Sequence, residues 1–308
     1  MTAAIRTTGV GLLTCLVIAT SAWVSAPAAF AEASSAEEYF KLGNEYFNGR
    51  DLDKAVSAYE KSVELAPAYK EAWYNLGIAY GKQRKYKREI AAYRKAVEAD
   101  PRYAKALYNL AIAYEDAGQD EDARDAYLRV VEITPDAVDA MLNLGIVQAR
   151  LGDIESAVAA YKRCLGVDAA QADAWFNLGI AYARQADRTT ETPEKQRLWG
   201  EEQAAYQKAL ELDPAYYKAW YNLAIAHHKA GDIEQEIHAY GKALEARADY
   251  PQALYNLAYA YEEHGVPAKA VETWRRYLEA AQNLPTEQQY VSTAREELAR
   301  LAKSAPAP

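Results

Sequence analysis

The sequence of 308 residues contains few of the residues on which cross-linked or reactive sites depend. It has 2 cysteines, 4 histidines and 2 methionines, so a disulfide scaffold is excluded. Glycine and proline are also scarce, with 15 and 11 residues, and 51% of the chain is apolar, which excludes collagen-like and disordered chains. Basic residues number 35 against 44 acidic ones, and a net charge of −9 opposes non-specific binding to nucleic acid.

The N-terminal segment has the features of an export signal. Residues 9–31 carry no charged side chain, and Arg6 is the only one before them. The small-x-small sequence Ala29-Phe30-Ala31 precedes Glu32, which predicts a signal peptide over residues 1–31 that is cleaved before Glu32. The alternative is an uncleaved membrane anchor, because the uncharged run exceeds the ~20 residues that a spanning helix needs. Both interpretations place the rest of the chain outside the cytoplasm, as a periplasmic, secreted or anchored protein.

From residue 36 onward the sequence repeats itself with a period of 34 residues. The stretch 72–80, AWYNLGIAY, returns as AWFNLGIAY at 174–182. Seven segments align in this way: 36–69, 70–103, 104–137, 138–171, 172–216, 217–250 and 251–284. The fifth is longer than the others because it contains an insertion around residues 189–199. Self-similarity at such a period is typical of solenoids.

The pattern within each segment resembles the tetratricopeptide repeat (TPR). Repeat 3 places large, small and aromatic residues at the positions typical of that family: Leu107, Leu110, Ala111, Tyr114, Ala123, Tyr127, Val130 and Pro135. Glu89, Glu202 and Glu236 depart from it, because they occupy a position that is usually alanine. The resemblance implies an all-α fold, a right-handed superhelical solenoid of seven helix-turn-helix repeats.

The two ends of the array have features of caps. Ser35 and Glu38 form a capping-box pattern at the first helix, and Thr286 with Gln289 forms another. We therefore predict a C-terminal capping helix over 286–303 and a disordered tail over 304–308. Alanines at positions 3 and 10 of each first helix suit close stacking of one repeat on the next.

The candidate binding site follows from the opposite side of each first helix, which in this family lines the concave groove. Position 6 is asparagine in six consecutive repeats, and we predict that this column, with Asn44 of repeat 1, contacts a polypeptide ligand: Asn44, Asn75, Asn109, Asn143, Asn177, Asn222 and Asn256. An amide both donates and accepts, as the recognition of a peptide backbone requires. The column resembles the asparagine ladder of O-GlcNAc transferases. The alternative is that these amides tie neighbouring repeats together.

Aromatic and charged side chains complete the predicted site. Position 5 supplies rings at Tyr74, Tyr108, Phe176, Tyr221 and Tyr255, and position 9 is isoleucine in five repeats. Their alternative role is packing between adjacent first helices. Lys105, Arg150 and Arg184 are the basic residues predicted to contact a ligand, and Trp199 of the insertion is either a further contact or a cover for the adjacent repeat. Asn44, Asn75 and Lys105 also match the carboxylate clamp of chaperone-binding TPR domains, but Phe40 and Asn109 replace two of its cations.

No pattern of catalytic chemistry is present in the sequence. Phosphate loops, serine elbows, dinucleotide motifs and zinc-binding histidine pairs are lacking, so we predict no enzyme activity, no cofactor and no metal site. The expected partner is a protein or peptide, without nucleic acid and without membrane beyond the signal segment. We expect a protein-binding scaffold or assembly factor; the alternative is a structural component that self-assembles. The oligomeric state is open.

Overall fold

The computed structural model describes residues 35–304. The predicted signal peptide, residues 1–31, and residues 305–308 of the predicted tail lie outside them. Fifteen α-helices are found in the described part: α1 Ala36–Asn48, α2 Leu52–Leu65, α3 Lys70–Lys82, α4 Tyr86–Ala99, α5 Ala104–Asp116, α6 Asp120–Ile133, α7 Val138–Leu151, α8 Ile154–Val167, α9 Ala172–Arg188, α10 Thr192–Leu212, α11 Tyr217–Ala230, α12 Ile233–Ala246, α13 Pro251–Glu263, α14 Pro267–Ala281 and α15 Gln288–Ser304.

The helices pack in chain order as an all-α solenoid. Each odd-numbered helix from α1 to α13 pairs with the helix that follows it, and each pair then packs on the next one. Residues 35–304 contain no strand, so the predicted fold class is confirmed. Each pair contacts mainly its neighbours, and the buried apolar residues of the described part form four clusters that follow one another along the array. None of the described helices has the length and apolar character that crossing a bilayer requires.

In four helix pairs, glycine at position 8 of the first helix lets a tyrosine ring of the second helix lie against the backbone, whereas repeats 3, 6 and 7 have alanine there. The ring of Tyr161 in α8 lies directly over Gly145 in α7, where an added Cβ would come within 2.4 Å of the ring. Gly179 and Tyr206 repeat this contact at 2.5 Å in the pair α9–α10. Between pairs, the alanines at positions 3 and 10 lie fully buried, as expected from the sequence: Ala72, Ala79, Ala106, Ala113, Ala174, Ala181, Ala219, Ala226, Ala253 and Ala260.

The N-terminal cap is formed as predicted, whereas the C-terminal helix begins two residues late. Ser35 Oγ accepts from the backbone N–H of Glu38, and Glu38 Oε2 accepts from that of Ser35. The chain turns through a 3₁₀ segment, Pro285–Glu287, before α15 begins at Gln288. Glu287 is turned inward, where it accepts from Tyr277 Oη at 3.0 Å and Gln252 Nε2 at 2.7 Å. These bonds hold Glu287 against the last repeat and delay the start of α15.

The insertion lengthens both helices of the fifth pair. Helix α9 has 17 residues and α10 has 21, whereas the other paired helices have 13 to 15 residues. The N-cap residue of α10 is Glu191, and Pro193 lies in the first turn of the helix. Leu198 is buried and Trp199 is half-buried against the main core, so the added turns of α10 cover the adjacent helices.

Candidate functional site

The asparagine column lies on one side of the odd-numbered helices, and all seven side chains are half-buried. We call this surface the ladder face; it comprises the asparagines together with the residues at positions 2, 5 and 9 of the same helices. Successive asparagines come from successive helix pairs, because each pair repeats the same local packing. The predicted alignment of the amides along the solenoid therefore agrees with the helix packing.

Hydrogen bonds link most of these amides to the preceding helix pair. Asn109 Nδ2 donates to Tyr74 Oη at 3.1 Å, across 35 residues of sequence. Asn143 Nδ2 lies 3.3 Å from the hydroxyls of both Tyr108 and Tyr127. These bonds lie between repeats, so the amides tie neighbouring repeats together, which is the alternative role expected from the sequence.

The same linkage occurs near both ends of the array. Asn256 Nδ2 donates to Tyr221 Oη at 3.2 Å and to Tyr240 Oη at 3.1 Å. At the N-terminal end, Asn44 Oδ1 accepts from Tyr59 Oη at 2.7 Å and from Asn75 Nδ2 at 2.8 Å. A peptide ligand would therefore have to share or displace contacts that already stabilise the array.

Asn177 forms a different contact. Its Nδ2 donates to the backbone carbonyl of Asp173, one turn earlier in α9, at 2.8 Å. This bond lies within one helix and does not connect two repeats. Asn177 is therefore the amide that a substitution can remove with least effect on the stacking of repeats. Asn222, in α11, is half-buried at the equivalent position.

The aromatic residues at position 5 pack against a buried tyrosine of the second helix, edge to face at Tyr108 and with tilted rings in the other four pairs. The pairs Phe40–Tyr59, Tyr74–Tyr93, Tyr108–Tyr127, Phe176–Tyr206 and Tyr221–Tyr240 have centroid separations of 5.8 to 6.0 Å. Burial raises the pKa of Tyr59 to about 12 and also raises that of Tyr127, so these hydroxyls stay protonated at neutral pH. Phe176 is buried, whereas Tyr74, Tyr108, Tyr221 and Tyr255 keep partial exposure. Packing within the repeat is thus their first role.

The four remaining predicted contact residues differ in whether their side chains already bond to other residues of the array. Lys105 is exposed at the start of α5. Arg150 bonds Asp120 at 2.6 Å and Glu115 at 2.8 Å, so its charge is neutralised within the array. Arg184 donates to the carbonyl of Ala149 at 3.0 Å, and Trp199 is partly covered by Lys195, 5.6 Å from the ring centre. Lys105, Arg150 and Arg184 are all exposed, and Lys105 differs from the two arginines in having no hydrogen bond or ion pair to the described residues.

An open depression of about 550 Å³ lies on the ladder face between α5 and α7. Four residues of the predicted site line it: Tyr74, Lys105, Tyr108 and Asn109. Its other lining residues are Ala104, Val130, Thr134, Asp136, Ala137, Val138, Asp139 and Ala140. The volume is within the range of roughly 300–1,000 Å³ that is typical of ligand pockets. A signal for it exists in the sequence, because repeat 3 ends in Ala137 where repeats 1, 2, 5 and 6 end in tyrosine.

The side chains of Cys164 and His228 contact other groups of the array. Cys164 is buried and its thiol lies 3.7 Å from the carbonyl of Val138; burial raises its pKa to about 11. His228 Nδ1 lies 3.0 Å from Glu236 Oε2. Over residues 35–304, no group of three His, Cys, Asp or Glu side chains is arranged to hold a metal ion.

Four sequence models, each describing the tetratricopeptide repeat, match residues 40–104, 103–170, 205–238 and 252–283. Together they cover well over half of the chain. The chain is built from tetratricopeptide repeats. No curated protein matches this TPR sequence significantly.

Solved structures of other TPR proteins share the fold. MamA is 22% identical over 58% of this chain and 92% of its own, with a TM-score of 0.53. YrrB, described as a TPR protein with an unusual peptide-binding site, is 20% identical over 65% of this chain and 98% of its own, with a TM-score of 0.55. The pilF protein of Pseudomonas aeruginosa is 14% identical over 73% and 97%, with a TM-score of 0.56. At these identities the likeness is one of fold.

Proposed function

We propose that this TPR protein is a non-catalytic scaffold that holds an extended segment of another protein along the ladder face. The observation that carries the proposal is the open depression at Tyr108, joined to apolar side chains along the same face. Ile112 is 36% exposed there, and Ile78 and Ile146 on the neighbouring first helices keep partial exposure. A face that met only water would not need this stripe of apolar side chains. YrrB offers a precedent for a peptide-binding site on this fold.

The amides contribute to such binding mainly through their oxygen atoms. Asn109, Asn143 and Asn256 use Nδ2 for bonds to tyrosine hydroxyls. Their carboxamide oxygens carry two lone pairs, which suit the backbone N–H groups of an extended guest chain. In this arrangement the guest supplies donors to the ladder face and is held chiefly by its apolar side chains.

A matched pair of charge substitutions tests the use of the ladder face. Ile112→Asp places a carboxylate on this face, whereas Leu128→Asp places one on α6, at a side chain that is 44% exposed. We expect Ile112→Asp to weaken the binding of a reduced and alkylated, permanently unfolded polypeptide about tenfold, since a charge would have to be desolvated beneath the guest. Leu128→Asp should leave the affinity unchanged. Equal affinities for all three proteins in isothermal titration calorimetry would remove the ladder face from the binding mechanism.

The proposal includes an address outside the cytoplasm, either periplasmic or secreted. The uncharged residues 9–31 and the small-x-small sequence before Glu32 support this export. Retention as a membrane-anchored protein facing away from the cytoplasm is the alternative. An assembly factor of the cell envelope would combine such an address with a peptide-binding face.

A second candidate function is self-assembly into a structural component. It is favoured by apolar residues that recur at the same position near the ends of three second helices. Leu65, Val167 and Leu212, in repeats 1, 4 and 5, are 54%, 48% and 43% exposed and are therefore available for contacts between copies of the chain. Light scattering across a wide concentration range separates the two candidates. A monomer mass that does not change with concentration would oppose self-assembly.

A further inference from the structure

Most aromatic rings at position 5 are covered by a second tyrosine supplied by the chain itself. In repeats 1, 2, 5 and 6 this is the last residue of the repeat, which we call the closing tyrosine. The pairs are Phe40–Tyr69, Tyr74–Tyr103, Phe176–Tyr216 and Tyr221–Tyr250, with centroids 4.8 to 5.4 Å apart. In repeat 7, Tyr290 of α15 takes this place against Tyr255 at 5.3 Å. A ring at position 5 thus recurrently packs against one further ring.

Tyr108 in repeat 3 is the exception within the described residues. Its repeat ends in Ala137, and its ring pairs with Tyr127 beneath it, 5.8 Å away, but with no closing tyrosine. The depression of about 550 Å³ lies at this place, with Tyr108 and Ala137 both in its wall. Val130 of α6 and Thr134, which follows the last residue of α6, also line it. The opening therefore corresponds to a ring that the repeat pattern supplies elsewhere and omits here.

We propose that this opening receives a tyrosine side chain of the bound polypeptide, which takes the place of the missing closing tyrosine. The inference rests on the proposed function and names the side chain that the ladder face selects. The occupant is argued from the chain itself, because four other repeats place a tyrosine against the equivalent ring. Three of these four pairs are tilted and Tyr221–Tyr250 is edge to face, and ring pairs with centroids about 5 Å apart are favourable beyond the apolar area that they bury.

The residue at position 2 of the first helix favours tyrosine over phenylalanine. In repeat 5, the closing Tyr216 donates its hydroxyl to Asp173 Oδ1 at 2.7 Å. Asp173 is at position 2 of α9, and the same position in α5 is Lys105, which lines the opening. A guest tyrosine seated like Tyr216 brings its hydroxyl to the Lys105 ammonium, which donates to it. Phenylalanine offers no acceptor for this bond.

The test uses acetylated and amidated 15-residue Ser/Ala/Gln peptides that differ only in a central Tyr, Phe or Ala. Isothermal titration calorimetry gives their affinities for the wild type and for Ala137→Tyr, which supplies the closing tyrosine of repeats 1, 2, 5 and 6. The wild type should bind the Tyr peptide about tenfold more tightly than the Ala peptide, from ring pairing and burial together. Ala137→Tyr should bind all three peptides with the affinity of the Ala peptide. Lys105→Ala should remove the preference for Tyr over Phe.

A second variant tests the same inference if Ala137→Tyr fails to fold. Tyr108→Leu removes the ring while keeping apolar volume, and Leu142 occupies the same position in repeat 4. It should also abolish the preference for the Tyr peptide. If the peptides bind the wild type with equal affinities, or if the preference survives in both variants, the opening does not receive an aromatic side chain.

A smaller probe separates this inference from the proposed function. N-acetyl-L-tyrosinamide, titrated against ¹⁵N-labelled wild type, should shift the amide resonances of residues 134–140, whereas N-acetyl-L-alaninamide should not. Shifts with this probe but no binding of any peptide would refute the polypeptide-binding function and leave the opening as an aromatic site. Peptide binding without shifts at 134–140 would refute the inference alone.

Discussion

Glu202 of α10 allows a sharp test of the packing in the fifth helix pair. Its side chain is 2% exposed, at a position that is alanine in repeat 3, Ala123, and in repeat 4, Ala157. The Lys229 ammonium lies 3.7 Å from Oε2, too far for a hydrogen bond, and this buried oxygen has no hydrogen-bond partner. Burial raises the pKa of Glu202 to about 7, with Lys229 opposing the rise and Asp187 adding to it.

The raised pKa sets the sign and the size of a pH effect on stability. An ordinary glutamate has a pKa of 4.5, so ionising Glu202 in the folded state costs about 3 kcal/mol more than in the unfolded state. Between pH 4.5 and about 7 the unfolded chain has lost this proton while the folded chain keeps it. The free energy of unfolding therefore falls as the pH rises through this window, and the stability is fully present only below it.

Urea denaturation of the wild type and Glu202→Gln at pH 5 and pH 8 measures this effect, since other titrating groups cancel in the comparison. We expect the stability of the wild type relative to Glu202→Gln to fall by about 2.5 kcal/mol between these pH values. Glu201→Gln, which changes an exposed neighbour on the same helix, is the control and should follow the wild type at both pH values. A difference between wild type and Glu202→Gln that stays constant would show that Glu202 is not buried in an ionisable form.

Three further outcomes are expected. Gly241→Ala should raise the free energy of unfolding by about 0.5–1 kcal/mol, because an added methyl meets nothing within 4 Å beyond its own helix. Gly145→Ala should not show this gain, because its methyl would press on the ring of Tyr161. Thermal melts that shift equally for both variants would contradict this packing. Arg150→Ala should cost about 1 kcal/mol at low ionic strength and less in about 0.5 M salt, and a loss that does not depend on salt would contradict an ionic role. N-terminal sequencing of the exported protein should begin at Glu32, and recovery of the intact N-terminus in the membrane fraction would favour the anchor.

The helix pairs could be predicted because each one follows from a local pattern. The apolar positions within 34 residues determine which sides of two helices meet, and the capping box at Ser35 marks the first start. The start of α15 could not be predicted in this way, since the inward turn of Glu287 depends on Tyr277 and Gln252, which lie 10 and 35 residues earlier. Contacts over such separations depend on how repeats stack.

The sequence pattern puts Asn109 and Asn143 at the same position of two successive first helices, α5 and α7, but it does not determine which bonds their amides form. Whether an amide is available to a bound polypeptide depends on the tyrosine hydroxyls near it in the neighbouring repeat. Asn109, for example, bonds Tyr74, which lies 35 residues earlier. The opening beside Tyr108 exists because repeat 3 ends in Ala137 and not in tyrosine. A repeat pattern identifies residues that recur, so it does not point to a position where the recurring residue is absent.

The use of the amides between repeats changes what the ladder face is able to recognise. Six amide contacts at ~1 kcal/mol each would give a guest backbone at most roughly 6 kcal/mol, against an ordering cost of at least ~4 kcal/mol. Because the Nδ2 atoms of Asn109, Asn143 and Asn256 already donate to tyrosines, the backbone contribution is smaller than that limit. Affinity must then come from buried side chains of the guest, and these differ between sequences. A ladder face with its amides engaged is therefore selective for apolar and aromatic anchors rather than tolerant of any extended chain. The expected signature is a large loss of affinity when a guest tyrosine becomes alanine and a small one for Asn177→Ala.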